Sequence, residues 1–145
     1  KSLNSIRTNY DYILIDCPPS LSLITVNALV ASEKIIIPVQ CEYFALEGLS
    51  QLLKTIELIR TSLNPDLQVL GVLLTMYDKR NQLNRHVVNE VNKKFPGRVF
   101  DTVISRKINL AEAPSFGKSI LQFSPNSKAA TEYRRLAEEV IRLTL

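Results

Sequence analysis

Asp16 is the residue on which chemistry could turn. It directly follows Tyr12-Ile13-Leu14-Ile15, an apolar run without alternation, and precedes Cys17-Pro18-Pro19. Such a run suits a strand buried on both faces, as in a parallel sheet. The prolines stop it, because neither can donate to a ladder. Open α/β sheets bind ligands at the carboxyl ends of their strands. A carboxylate there suits the magnesium site of a nucleotide-binding protein; it equally suits a cap of the following turn. A nucleotide site also needs a phosphate-binding loop. The four glycines, Gly48, Gly71, Gly97 and Gly117, stand isolated, so this chain contains none.

Two further polar stretches follow apolar runs, and the first lies on the same rim as Asp16 if the strands are parallel. Gln40-Cys41-Glu42-Tyr43 follows a second apolar run, Lys34 to Val39, and Tyr77 to Asn84 follows a third, Leu67 to Met76. Cys17 and Cys41 each come just after an expected strand. They lack metal-ligand spacing and read as reduced thiols.

The elements that must position these loops alternate. Leu3, Ile6 and Tyr10 give the end of a helix leading into the first strand. Ser20 or Ser22 can cap a helix over Leu23 to Ala31. Leu46, Leu49, Leu53, Ile56, Ile59 and Leu63 repeat every three or four residues, an amphipathic helix ended by Asn64-Pro65. Gly71 within the third strand implies a close backbone approach or a bulge. Val87, Val88, Val91 and Phe95 mark a helix that stops at Pro96-Gly97, and Arg98 to Ile104 reads as a short fourth strand. Ser105 to Gly117 reads as loop with one helical turn. Ser124-Pro125 opens the last helix, whose apolar face is Ala129, Tyr133, Leu136, Ala137, Val140 and Ile141. Strands alternating with helices predict an α/β fold, a doubly wound, mainly parallel sheet with helices on both faces.

The totals agree. A chain of 145 residues, 46% hydrophobic and 22% charged, is the size and composition of one globular domain. A net charge of +4 permits an anionic partner without requiring one. The basic pairs Lys79-Arg80, Lys93-Lys94, Arg106-Lys107 and Arg134-Arg135 are scattered rather than gathered into a tail. No apolar stretch approaches the roughly 20 residues of a membrane span. The start at Lys1-Ser2-Leu3, part-way into an expected helix, reads as a fragment.

Tyr-Asp-Tyr-Ile-Leu-Ile-Asp-Cys-Pro-Pro-Ser (10–20) resembles the Walker B region of the ParA/MinD group of deviant P-loop ATPases. Residues 38–48, 71–78 (Gly-Val-Leu-Leu-Thr-Met-Tyr-Asp) and 109–118 (Asn-Leu-Ala-Glu-Ala-Pro-Ser-Phe-Gly-Lys) resemble its chromosomal ParA/Soj branch. The resemblance runs from Tyr10 to about Ile141. It implies the carboxyl-terminal portion of a single P-loop NTPase-like domain, without the Lys-Gly-Gly-x-Gly-Lys-Ser/Thr loop that lies upstream in the family.

The resemblance further implies a cytoplasmic, nucleoid-associated ATPase that binds ATP and magnesium and closes as a homodimer. Such a protein binds DNA non-specifically and moves chromosomes or plasmids with a ParB-type partner. By motif, Asp16 would hold Mg²⁺ through a water. Met76, Asp78, Ser105 and Arg106 would line the nucleotide site. Pro18, Gln40 and Glu42 would belong to the switch and dimer interface. Arg80, Lys107 and Lys118 would meet DNA. Relatives commonly have Ile-Pro-Arg where this chain has Ile104-Ser105-Arg106, and often an arginine at the place of Asn109. The chain alone is expected neither to bind ATP tightly nor to hydrolyse it, and to self-associate. Two alternatives differ in class: a membrane-associated division-site regulator like MinD, and a non-enzymatic dimerisation or binding module. The acidic residues Glu132, Glu138 and Glu139 on the last helix speak against a basic membrane-targeting helix.

Overall fold

The computed structural model describes residues 3, 5–18 and 22–145. Strands β1 (Lys34–Gln40) and β2 (Gln68–Thr75) pair in parallel. Helix α1 (Leu23–Ala31) precedes β1, α2 (Ala45–Ser62) joins the strands, and α3 (Gln82–Lys94) follows β2. The chain continues through α4 (Ile108–Glu112), a 3-10 turn (Ala113–Phe116), α5 (Ile120–Phe123) and the long α6 (Lys128–Thr144). These crossovers match the predicted α/β order.

Helices cover both faces of the sheet. On one face Ile37, Val39, Val72 and Leu74 pack with Leu29 of α1, Leu49, Ile56 and Ile59 of α2, and Val87 and Val91 of α3. On the other, Leu73 packs with Phe100 and Ile104, and Ile36, Leu70, Leu110, Leu136, Val140 and Leu143 close over them. Burying each such aliphatic side chain stabilises the fold by about 1.5–3 kcal/mol before chain entropy is counted.

Gly71 performs both roles its position implied. Ile35 pairs with Val69 but Ile36 with Gly71, so β2 carries one extra residue there. The slip puts Val69 and Val72, three apart, against the same core, where strict alternation would separate them. A Cβ at Gly71 would lie 2.8 Å from the Phe100 ring and 3.1 Å from the Arg98 carbonyl oxygen.

The expected fourth strand is realised only as parallel bridges, Val72 with Val99 and Tyr77 with Ser105. Val72 N–H donates to Arg98 O, Phe100 N–H to Val72 O, and Ile104 N–H to Leu74 O. Between these contacts the segment turns to α6 instead. Buried Glu139 accepts from Asp101 N–H at 2.8 Å and Thr102 N–H at 3.0 Å.

Four local expectations are corrected. Tyr12 to Ile15 forms no strand: a strand needs a hydrogen-bonding neighbour and a covering layer, and among the described residues β1 pairs only with β2. Leu14 is left 85% exposed, and the Tyr12 hydroxyl, 2.8 Å from Thr144 Oγ1, ties the run to α6. The N-terminal helix is a single 3-10 turn, Arg7–Asn9, with no buried residue. Ser22 stands at the N-cap of α1 without a capping hydrogen bond, and Pro19 and Ser20 lie outside the described residues. Finally, α6 starts three residues after Ser124-Pro125, capped by Ser127, whose hydroxyl accepts from Ala130 N–H. Ser124 instead ends α5, which opens with a capping box between Ser119 and Gln122.

The inner face of α6 is also rotated from the expected one. Ala129, Glu132 and Glu139 are buried while Tyr133 and Ile141 are 41% and 44% exposed. Positions 129, 132, 136, 139/140 and 143 keep the helical spacing, with two glutamates among the apolar residues. Their hydrogen bonds to the 101–105 backbone turn that face inward.

Two outcomes are expected. Gly71→Ala lowers stability by about 1–3 kcal/mol, read as a lower urea midpoint, because ring and carbonyl must both yield. For Glu139, burial opposes the charge but is outweighed by the Asp101 and Thr102 donors, which leave its pKa lowered. Its contribution is therefore full above the unfolded carboxylate value, about 4.3, and fades as pH falls through the lowered folded value. Glu139→Gln should remove that acid-side loss while destabilising the protein near neutrality by about 1–3 kcal/mol. Urea midpoints measured from pH 3 to 7 check both signs.

Candidate functional site

The loops after β1 and β2 meet the 104–106 corner around a cleft of about 680 Å³, within the size range of small-molecule sites. Its walls include Val39, Leu49, Leu52, Tyr43, Phe44 and Met76. Its polar groups are Gln40, Glu42, Asp78, Asn81, Asn84 and Arg106.

Each loop is held by backbone bonds. Cys41 N–H donates to Thr75 O, so the turn after β1 stays zipped to β2. Met76 follows in the left-handed region, φ +55°, which costs roughly 1–2 kcal/mol for a residue with a side chain. Tyr77 N–H then donates to Ile104 O, and Arg106 N–H to Tyr77 O. Bonds on both sides of Met76 hold it in place.

Asn84, from the first turn of α3, joins the loops. It is 5% exposed; its amide donates to Cys41 O at 2.5 Å and its carbonyl accepts from Asp78 N–H at 2.7 Å. Sequence reasoning assigned it to a polar loop. The signal was present: positions 84, 87, 88, 91 and 95 form one helical stripe, so Asn84 is a polar residue at a core position.

The charges are paired across the rim. Arg106 donates to Glu42 Oε1 at 2.8 Å. Arg80 donates through its backbone N–H and Nε to Asp78 Oδ1 and through its second terminal nitrogen to Oδ2. This forked contact holds the Asp78 carboxyl down at about 2, with Lys107 adding a smaller positive field. Beneath them, burial pushes the Cys41 thiol up to about 11.

Of the predicted site residues, Gln40, Glu42, Met76, Asp78 and Arg106 thus come together on one cleft. Ser105 lies behind it, its N–H and hydroxyl both turned to Glu132. Arg80 and Lys107 border Asp78. Asp16, Pro18 and Lys118 are exposed and are not among the cleft residues. No group of three or more His, Cys, Asp or Glu side chains able to hold a metal occurs among the described residues. The cleft can therefore take a partly apolar ligand and orient an anionic group on Arg106.

One reagent tests this arrangement. Iodoacetamide at pH 8 should modify Cys17, which is partly exposed, and spare buried Cys41. Asn84→Ala, which strands the Cys41 carbonyl and the Asp78 N–H, should lower stability by about 2–4 kcal/mol and make Cys41 reactive. Mass spectrometry of the alkylated chain reads both.

A family profile described as an AAA domain matches residues 1–69. The chain is 55% identical over 140 residues to the sporulation initiation inhibitor protein Soj of Bacillus subtilis (strain 168), covering 97% of this chain and 55% of that protein. It is 51% identical over 142 residues to the chromosome partitioning protein ParA of Caulobacter vibrioides (strain NA1000 / CB15N), covering 97% and 53%. Among solved structures, cobyrinic acid a,c-diamide synthase of Mycobacterium smegmatis superposes with a TM-score of 0.80 at 34% identity, over 97% of this chain and 51% of the synthase. That synthase has also been solved with an ATP analogue and magnesium. Along nearly its whole length the chain is a homologue of the ParA/Soj-type partitioning proteins of the P-loop ATPase class, and it spans about half the length of those relatives.

Proposed function

We propose that these 145 residues are the carboxyl-terminal part of a partitioning ATPase that binds ATP with magnesium, dimerises and binds DNA non-specifically. A ParB-type partner would trigger hydrolysis and release, and the protein would act in the cytoplasm on the nucleoid. The observation that carries the reading is 55% identity to Soj over 97% of the chain. The lower identity of 34% to the diamide synthase favours partitioning over that enzyme's reaction. No described helix is long and apolar enough to cross a membrane.

Bound Mg·ATP would supply the phosphoryl group and the counter-charge. Phosphoryl transfer asks the protein mainly for positioning and charge, and the rim offers both. Mg²⁺ keeps several waters and takes only one or two carboxylates beside phosphate oxygens, so a single exposed Asp16 fits as a water-bridged ligand. Met76 and Asp78 would face the nucleotide, with Arg106 beside them and Ser105 behind the wall. Pro18, Gln40 and Glu42 would respond to the nucleotide and meet a second protomer. Arg80, Lys107 and Lys118 would offer charge to DNA phosphates. The phosphate loop and its lysine would come from a segment outside these residues, so the isolated chain would bind ATP weakly and not turn it over.

Steady-state hydrolysis by the full-length protein tests this reading. It predicts ATPase activity stimulated by DNA and partner, lost on Asp16→Ala, and a strong salt dependence of binding to random-sequence duplex. A full-length protein inert toward ATP with DNA and partner present would refute it.

A further inference from the structure

We infer that Glu132 of α6 is a positioning residue for Arg106, and through it for a nucleotide in the cleft; this rests on the reading above. Glu132 is 7% exposed, and both its oxygens are used by one residue. Oε2 accepts from Ser105 N–H at 2.9 Å and Oε1 from the Ser105 hydroxyl at 2.6 Å. Lys128 Nζ, 3.6 Å from Oε1, offsets the charge. A carboxylate this deep is stable only when so satisfied.

Arg106 is the next residue. Its guanidinium reaches Glu42 across the rim, but both side chains are more than half exposed, 58% and 56%. An ion pair of that exposure contributes little, no more than the side-chain entropy lost in fixing an arginine. The pair therefore does not hold the arginine in place. Its root is fixed on one side by its own N–H, which donates to Tyr77 O, and on the other by Ser105, which Glu132 grips. The same grip leaves Ser105 no donor free for a ligand. Arg106 is then the charged group this corner presents to the cleft. A proline at position 105 would have neither donor, so the device belongs to the serine.

The test uses the full-length protein and Mg·ATP, with each variant assayed well below its own unfolding midpoint. Glu132→Ala should raise KM for ATP about tenfold, as expected when a binding group is displaced rather than deleted, with kcat nearly unchanged. Glu132→Gln, which keeps one acceptor, should give a smaller rise. Ser105→Ala, which keeps the N–H bond and removes only the hydroxyl, gives the same direction should Glu132→Ala fail to fold. Glu139→Gln is the control: it removes an equally buried carboxylate from α6, one bonded to Asp101 and Thr102, and should leave KM unmoved. Equal KM in the Glu132 and Ser105 variants and the parent overturns the inference while leaving the functional reading intact. So does a rise as large in Glu139→Gln, which would mean general loosening. A parent protein that binds no ATP overturns both together.

Discussion

The fold depends on how one segment finds its hydrogen-bond partners. Residues 98–105 run beside β2 but bond to it only at intervals, and the gaps are closed by carboxylates from the last helix rather than by another strand. Glu139 takes two consecutive backbone donors and Glu132 takes both donors of Ser105. An unpaired buried N–H costs about 1–3 kcal/mol, so losing either glutamate removes a large fraction of a small domain's net stability. The same contacts seat α6 on the second face of the sheet. Those of Glu132 also deliver the 104–106 corner to the rim in a defined register.

That register explains the cleft. A parallel sheet sends the loops after each strand to one end, and here three such stretches are locked to one another before any ligand arrives. Thr75 holds Cys41, Ile104 holds Tyr77, and Asn84 bonds both the Cys41 carbonyl and the Asp78 amide. The exposed ion pairs Glu42–Arg106 and Asp78–Arg80 sit on this frame rather than creating it. Met76 keeps its left-handed backbone because its neighbours on both sides are bonded to adjacent stretches.

Much of this was legible from residue order. The apolar runs at 34–39 and 67–76 became the two strands, and the leucine and isoleucine repeat became α2. Gly71 announced the irregularity that its neighbours Phe100 and Arg98 explain. What failed did so for identifiable reasons. Tyr12 to Ile15 has the composition of a central strand, but composition does not supply a hydrogen-bonding edge, and none reaches it among the described residues. Asn84, Glu132 and Glu139 were passed over because polar residues were assigned to solvent. Each lies on the helical stripe of its apolar neighbours, where a polar group is tolerated only if it finds a partner. Each finds at least one backbone partner 27 to 43 residues away, which local spacing cannot reveal.

The central claim is that the rim built by these contacts receives the nucleotide. Backbone amide spectra of the full-length protein, recorded during titration with Mg·ATP, test it most directly. Shifts should concentrate at Gln40–Phe44, Met76–Asn81 and Ser105–Lys107, with α6 beyond Glu132 nearly silent. A response centred on the α2–α3 groove around Leu53 and Phe95, with the rim unmoved, would contradict the account.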